Sequence, residues 1–172
     1  MKFTRYVIGL CSLVTASFVS AETMGLLSSW NMNYKGAKET VPVFIDMVND
    51  RVPELTLNMK GPEAVSPFEQ LEPVQTGFYQ FLFTHGGYHY GTTGIGMGMD
   101  AVNGDPDKRR DSGVWNFVDE SYQAIGLKLI AMPTFGDGYH MVLREPIGPE
   151  GDLRGMKIRG TPVYKALIEH LG

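Results

Sequence analysis

Three stretches of this sequence carry residue types and spacings that suit chemistry. The first is His85-Gly86-Gly87-Tyr88-His89-Tyr90-Gly91. Its glycines let the backbone turn tightly. Tyr88, His89 and Tyr90 would then present ring side chains with polar tips, able to donate to a carboxylate or hydroxyl group. The same residues would serve equally as an aromatic loop packed on a domain surface. The second is Arg159, between Lys157-Ile158 and Gly160-Thr161-Pro162. A guanidinium there can grip a carboxylate through two parallel hydrogen bonds, and a nearby helix start favours an anion. A lone arginine is more often solvated or paired structurally. The third is Gly61-Pro62-Glu63-Ala64-Val65-Ser66-Pro67-Phe68. Here Glu63 can bind a cation or order a ligand hydroxyl, Phe68 opens a helix, and a plain capped turn is the simpler reading.

Other chemistries find no support. Gly94-Ile95-Gly96-Met97-Gly98 lacks the Lys-Ser/Thr of a phosphate loop. His85 and His89 lie on a glycine-rich loop, and His140 and His170 are distant in sequence, so no zinc site is expected. There is no Gly-x-Ser-x-Gly elbow, and no carboxylate pair stands out as acid and base. No catalytic residue, cofactor or metal is expected.

The elements that must position these residues alternate. Gly25–Trp30 reads as a strand. Val41, Phe44, Ile45 and Val48 recur at helical spacing up to Arg51-Val52-Pro53, and Leu55–Met59 alternates as a strand. Ser66, Pro67 and Glu69 form a capping-box helix start, with Phe68, Leu71 and Val74 facing inward and Gly77 as the stop. Tyr79–Thr84 reads as a strand, and Trp115, Val118, Tyr122 and Ile125 as a helix ending at Gly126. Leu127–Ala131, His140–Leu143 and Met156–Arg159 read as further strands, and Thr161-Pro162 opens a last helix. Such alternation predicts an α/β fold with a mainly parallel sheet flanked by helices. Ligands bind such sheets beyond the carboxyl ends of the strands, where all three chemical stretches fall.

The N-terminus reads as an export signal. Lys2 and Arg5 precede a mostly apolar stretch from Tyr6 to Phe18, and Val19-Ser20-Ala21 ends it, with cleavage expected after Ala21. The stretch is shorter than the ~20 residues a membrane span needs. Cys11, the one cysteine, lies inside it, so the remaining chain would have neither disulfide nor thiolate site. Without Lys2 and Arg5, 13 basic residues face 19 acidic ones, a net charge of about −6. No nucleic-acid partner is expected of such a chain.

Taken together, these residues resemble a known family. The run Gly61-Pro62-Glu63-Ala64-Val65-Ser66-Pro67-Phe68-Glu69-Gln70, the following Leu71-Glu72-Pro73-Val74-Gln75-Thr76-Gly77, the tyrosine-rich turn, and Gly151-Asp152-Leu153-Arg154-Gly155-Met156-Lys157-Ile158-Arg159 are similar to DctP-type substrate-binding proteins of tripartite ATP-independent periplasmic (TRAP) transporters. The resemblance implies a periplasmic protein that captures a small organic acid between two α/β lobes and delivers it to TRAP membrane subunits. It implies that Arg159 anchors the carboxylate and that Tyr88 and His89 wall the pocket. Family members are roughly twice this length, with two full lobes. The resemblance therefore divides the chain into a signal peptide (1–21), a first α/β lobe (22–135), and a crossover with an incomplete second lobe (136–172), as in a fragment or truncated form. An exported α/β enzyme acting on a small acid, or a ligand-sensing module for a membrane receptor, are the alternatives, since fold does not fix function.

Overall fold

The computed structural model describes residues 21–134 and 140–172. Nearly all of the expected signal segment, and the expected lobe boundary after residue 135, lie outside them. The first half follows the expected alternation. Strand β1 (Glu22–Ser28) leads to helix α1 (Lys35–Arg51) and then to strand β2 (Leu55–Lys60). A short helix α2 (Leu71–Gln75) precedes strand β3 (Phe81–Phe83). The three strands form one parallel sheet in the order β2-β1-β3, with Leu26 opposite Met59 on one side and Phe81 on the other.

The core of this unit lies between the sheet and α1. Leu26, Ala37, Val41 and Leu57 are buried, and Phe44, Ile45, Val48, Met59, Phe81 and Phe83 pack around them. The helical spacing read from Val41 to Val48 is the face that packs on the sheet. Pro42 sits inside the helix without ending it. Asn49 also ties the helix to the sheet, its side-chain oxygen accepting the Leu57 N–H at 3.3 Å.

Helix α2 begins later than the sequence suggests. Ser66–Glu69 is instead a turn of its own, closed by the Glu69 N–H on the Ser66 carbonyl at 2.8 Å, and Ser66 caps nothing. The next side chain, Gln70, is drawn inward and is only 1% exposed. Phe68 therefore does not face the core and stays 52% exposed, whereas Leu71 is buried as expected. Gly77 does end the helix, at a φ of 78°.

Beyond β3 come the helices α3 (Ile95–Gly98), α4 (Pro106–Asp111), α5 (Val114–Gln123) and α6 (Lys165–His170). Asp105 caps α4, accepting from the N–H groups of Asp107 and Lys108. Helix α5 carries the expected apolar face through Val118 and stops short of Gly126, which has a φ of 81°.

Leu127–Ala131, His140–Leu143 and Met156–Arg159 are not strands, which corrects the reading from pattern. The physical reason is visible in the first of them. Its surroundings satisfy backbone groups with side chains rather than with a ladder: the Leu129 N–H donates to Asp119 Oδ1 at 2.9 Å, and Arg109, only 5% exposed, donates to the Met132 and Asn103 carbonyls. In the second, Val142 is 92% exposed. In the third, Met156 N–H closes a turn on Leu153, at 3.0 Å. An apolar alternation makes a strand only where a neighbouring edge is free to pair.

Candidate functional site

The carboxyl ends of the three parallel strands lie side by side, and the chain leaving each one returns a side chain to the same place. Under this edge is a buried polar network. Ser29, just past β1, has its hydroxyl 2.7 Å from Gln70 Oε1 and 2.7 Å from the Thr84 hydroxyl, just past β3. One hydroxyl proton serves only one of these, so Ser29 donates to Gln70 and accepts from Thr84. The Gln70 amide nitrogen donates to the Ser28 and Val65 carbonyls, each at 3.0 Å. One amide thereby fastens the connection after β2 to the end of β1, with Ser29 carrying the link on to β3.

Residues next to the network in the chain carry an array of rings. Trp30 is stacked on Tyr34, with centroids 5.1 Å apart and planes 21° apart. Phe83 and Tyr88 meet Trp30 edge-on at 5.5 and 5.7 Å. Phe68 also meets Tyr88 edge-on, at 5.1 Å. Trp30 follows β1, Phe68 follows β2 and Tyr88 follows β3, so each connection contributes a ring. These edge-on geometries suit the ring quadrupoles. Of the residues picked out by sequence, Tyr88 and Phe68 are thus brought together. The sequence pattern marks Trp30 only as the end of a strand, and nothing local in it signals Ser29, Gln70 or Thr84 as partners.

The glycine-rich turn is held from below. A short 3-10 turn, Gly86–Tyr88, is capped by His85, whose Nδ1 accepts the Gly87 N–H at 3.0 Å. His85 Nε2 lies 2.9 Å from Asp100 Oδ1, so that nitrogen carries the proton toward the carboxylate. His89 points inward, 7% exposed, with Nε2 2.7 Å from the Tyr122 hydroxyl on α5. Burial, aided by the neighbouring His85, lowers the His89 pKa to about 4, and burial pushes Tyr122 up to about 12. Both are uncharged at neutral pH, and the ring that the sequence offered to a ligand is engaged with α5. Tyr90 is exposed.

His89 makes stability depend on acid. The unfolded chain protonates this ring near 6.5 and the folded chain only near 4. Between those values the unfolded state holds the extra proton, so acid favours unfolding. The stability due to neutral His89 is complete above about pH 6.5 and falls toward pH 4, by at most ~1.4 kcal/mol per pH unit. Thermal melts across this window should show the His89→Gln variant losing less stability than the parent. Identical pH profiles would contradict the assignment.

Glu63 takes a structural role in its loop. Its Oε1 accepts the Gly61 N–H at 2.8 Å. Hydrogen bonds from its own and the Gly61 backbone N–H, with Lys60 nearby, outweigh partial desolvation and hold its pKa below the usual carboxylate range. It borders an open depression of about 490 Å³ beside Asn31, Asp46 and Met59, between α1 and the end of β2. Two carboxylates make that depression a poor host for an anion.

Arg159 is exposed, before the short turn leading into α6. Among the described residues, no hydrogen bond or ion pair engages its guanidinium, and none joins it to the ring array. Its donors face solvent. Among the described residues, no group of three or more His, Cys, Asp and Glu side chains is placed to hold a metal ion. Nor, among them, is any helix long and apolar enough to cross a membrane. No protein-family model and no curated protein matches the chain.

Proposed function

We propose that this protein is an exported solute-binding protein of the TRAP type, capturing a small organic acid in the periplasm for delivery to membrane subunits of a secondary transporter. The observation that carries the reading is the convergence of Trp30, Phe68 and Tyr88 at the carboxyl edge of a parallel sheet. A largely apolar ring surface suits the body of a small ligand, and this edge is where such sheets bind one. Arg159 supports the same reading, because among the described residues no hydrogen bond or ion pair engages its donors and a guanidinium matches a carboxylate in geometry. Closure of a second lobe over the ring wall, a hinge motion, would desolvate the ligand between wall and arginine.

Binding is favoured over turnover by the state of the two histidines. His85 is engaged at both nitrogens, and His89 is buried on Tyr122. Neither presents a base to a bound acid. The test is a melting screen of the full-length protein against a panel of small mono- and dicarboxylic acids. An acid at a hundred times its Kd should stabilise by ~2.7 kcal/mol, read as a raised melting midpoint. Turnover of an acid by the pure protein, lost on changing His89, would instead establish an enzyme.

A further inference from the structure

We infer that Asn103-Gly104 is a self-modifying site, at which the folded chain loses ammonia from Asn103 and re-forms there as isoaspartate, giving buried Arg109 a carboxylate partner. The site is independent of the solute-binding reading. In the first step the Gly104 nitrogen attacks the Asn103 side-chain carbonyl carbon. A bond forms between that nitrogen and Cγ, the bond from Cγ to Nδ2 breaks, and the amide leaves as ammonia with the Gly104 proton. Water then opens the resulting cyclic imide at one of its two carbonyls. Opening at the former main-chain carbonyl leaves isoaspartate, whose free carboxylate is built on that carbonyl.

Three features carry the inference. First, Asn103 is the one asparagine in the sequence that glycine follows. Glycine has no Cβ to stand in the path of attack. Both residues are exposed, and among the described residues the Gly104 N–H is engaged in no hydrogen bond.

Second, hydrogen bonds polarise both reacting groups. The Asp105 N–H donates to Asn103 Oδ1 at 2.9 Å. This folds the side-chain amide back over the Asn103–Gly104 peptide and draws electrons from Cγ. Arg109 donates from Nε to the Asn103 main-chain carbonyl, the other end of the peptide group whose nitrogen attacks. A cation there makes the Gly104 N–H more acidic, and the deprotonated nitrogen is the nucleophile.

Third, the product suits its surroundings. Arg109 is 5% exposed, and among the described residues its guanidinium meets the Asn103 and Met132 carbonyls and no carboxylate. Burying a cation without a counter-charge is costly. Isoaspartate at 103 turns the first of those carbonyls into a carboxylate, and the bond between two charged groups is stronger. The same guanidinium polarises this carbonyl in the imide, so water opens it there.

Asn31 is a control within the chain. Its Oδ1 likewise accepts the N–H two residues on, from Asn33 at 3.0 Å. Met32 follows it, however, and its main-chain carbonyl accepts the neutral Tyr34 N–H.

The experiment is incubation of the full-length protein in mildly alkaline buffer, with peptide mass spectrometry separating asparagine, aspartate and isoaspartate at each position. Residue 103 should convert at least about tenfold faster than Asn31, and Gly104→Ala should slow it by about the same factor. A Cβ on Gly104 would meet Thr134 at an ordinary 3.5 Å, so the variant should melt like the parent. In urea, where Arg109 is withdrawn, isoaspartate should form a smaller share of the product than in the folded chain. Conversion at 103 no faster than at Asn31, or undiminished in Gly104→Ala, would overturn the site. An isoaspartate share no greater in the folded chain than in urea would overturn the part given to Arg109.

Discussion

Gly86→Ala is expected to destabilise the protein by ~3 kcal/mol or more, because no side chain fits where Gly86 sits. A Cβ there would stand 2.1 Å from the Gly96 carbonyl carbon and 2.4 Å from its Cα. Both neighbours are backbone, so no side chain can rotate away. Gly96 is caught in the same contact, since a Cβ on it would meet the Tyr122 hydroxyl at 2.5 Å and Gly86 Cα at 2.7 Å. Two chain segments touch here through their glycines, and the touch brings the turn after β3 onto α3, which in turn packs against α5. Separating them pulls His89 from Tyr122 and moves Tyr88 out of the ring array. The melting midpoint should fall by ~6–12 °C for a chain of this size. Gly94→Ala is the control, as a Cβ there meets nothing within 4 Å. Equal melting of the two variants would contradict the close-approach assignment.

Gln70→Ala is the second large loss, and its cause is polar. Removing the amide strands the Ser29 hydroxyl and the Ser28 and Val65 carbonyls in a site where Gln70 itself is only 1% exposed. Each buried group left unpaired costs about 1–3 kcal/mol, less where water enters, so a total of ~3 kcal/mol is expected. Gln70→Glu keeps the shape and the acceptor for Ser29. It replaces the donor to two carbonyls with a carboxylate oxygen, and should cost at least as much. Urea unfolding reads both: the midpoint should drop with little change in slope, because the surface exposed on unfolding is nearly unchanged. A loss under ~0.5 kcal/mol for either variant would show that the network does not fasten the strand ends.

These two positions also mark how far the fold could be read from sequence. The path from β1 through α1 to β2 was legible, because Val41, Phe44, Ile45 and Val48 keep helical spacing and Leu55–Met59 alternates. The helix near Ser66 was displaced. Local capping signals at Ser66, Pro67 and Glu69 competed with the pull of Gln70 toward Ser28 and Ser29, some 40 residues earlier, and the distant pairing won. The three later strands failed for a related reason. Apolar alternation around Leu129 cannot reveal that Asp119 and Arg109 will take up nearby backbone groups.

The candidate site divides in the same way. Tyr88 was legible from the glycines around it and the strand before it, whereas Phe68, read as facing inward from a helix start, stands half-exposed on a turn of its own. The burial of His89 was not, since its partner Tyr122 lies 33 residues away and looks from sequence like one more residue of an apolar helix face. Trp30 was hidden because Phe83 and Tyr88, which meet it edge-on, lie far along the chain.

The most direct measurement is calorimetric titration of the full-length protein and its Arg159→Ala variant with the organic acid that best raises its melting midpoint. A carboxylate anchored by Arg159 predicts an affinity loss of at least ~2 kcal/mol, about thirtyfold, in the variant, with its melting in the absence of ligand unchanged. Equal affinity of the two proteins for every acid that binds would contradict the anchor.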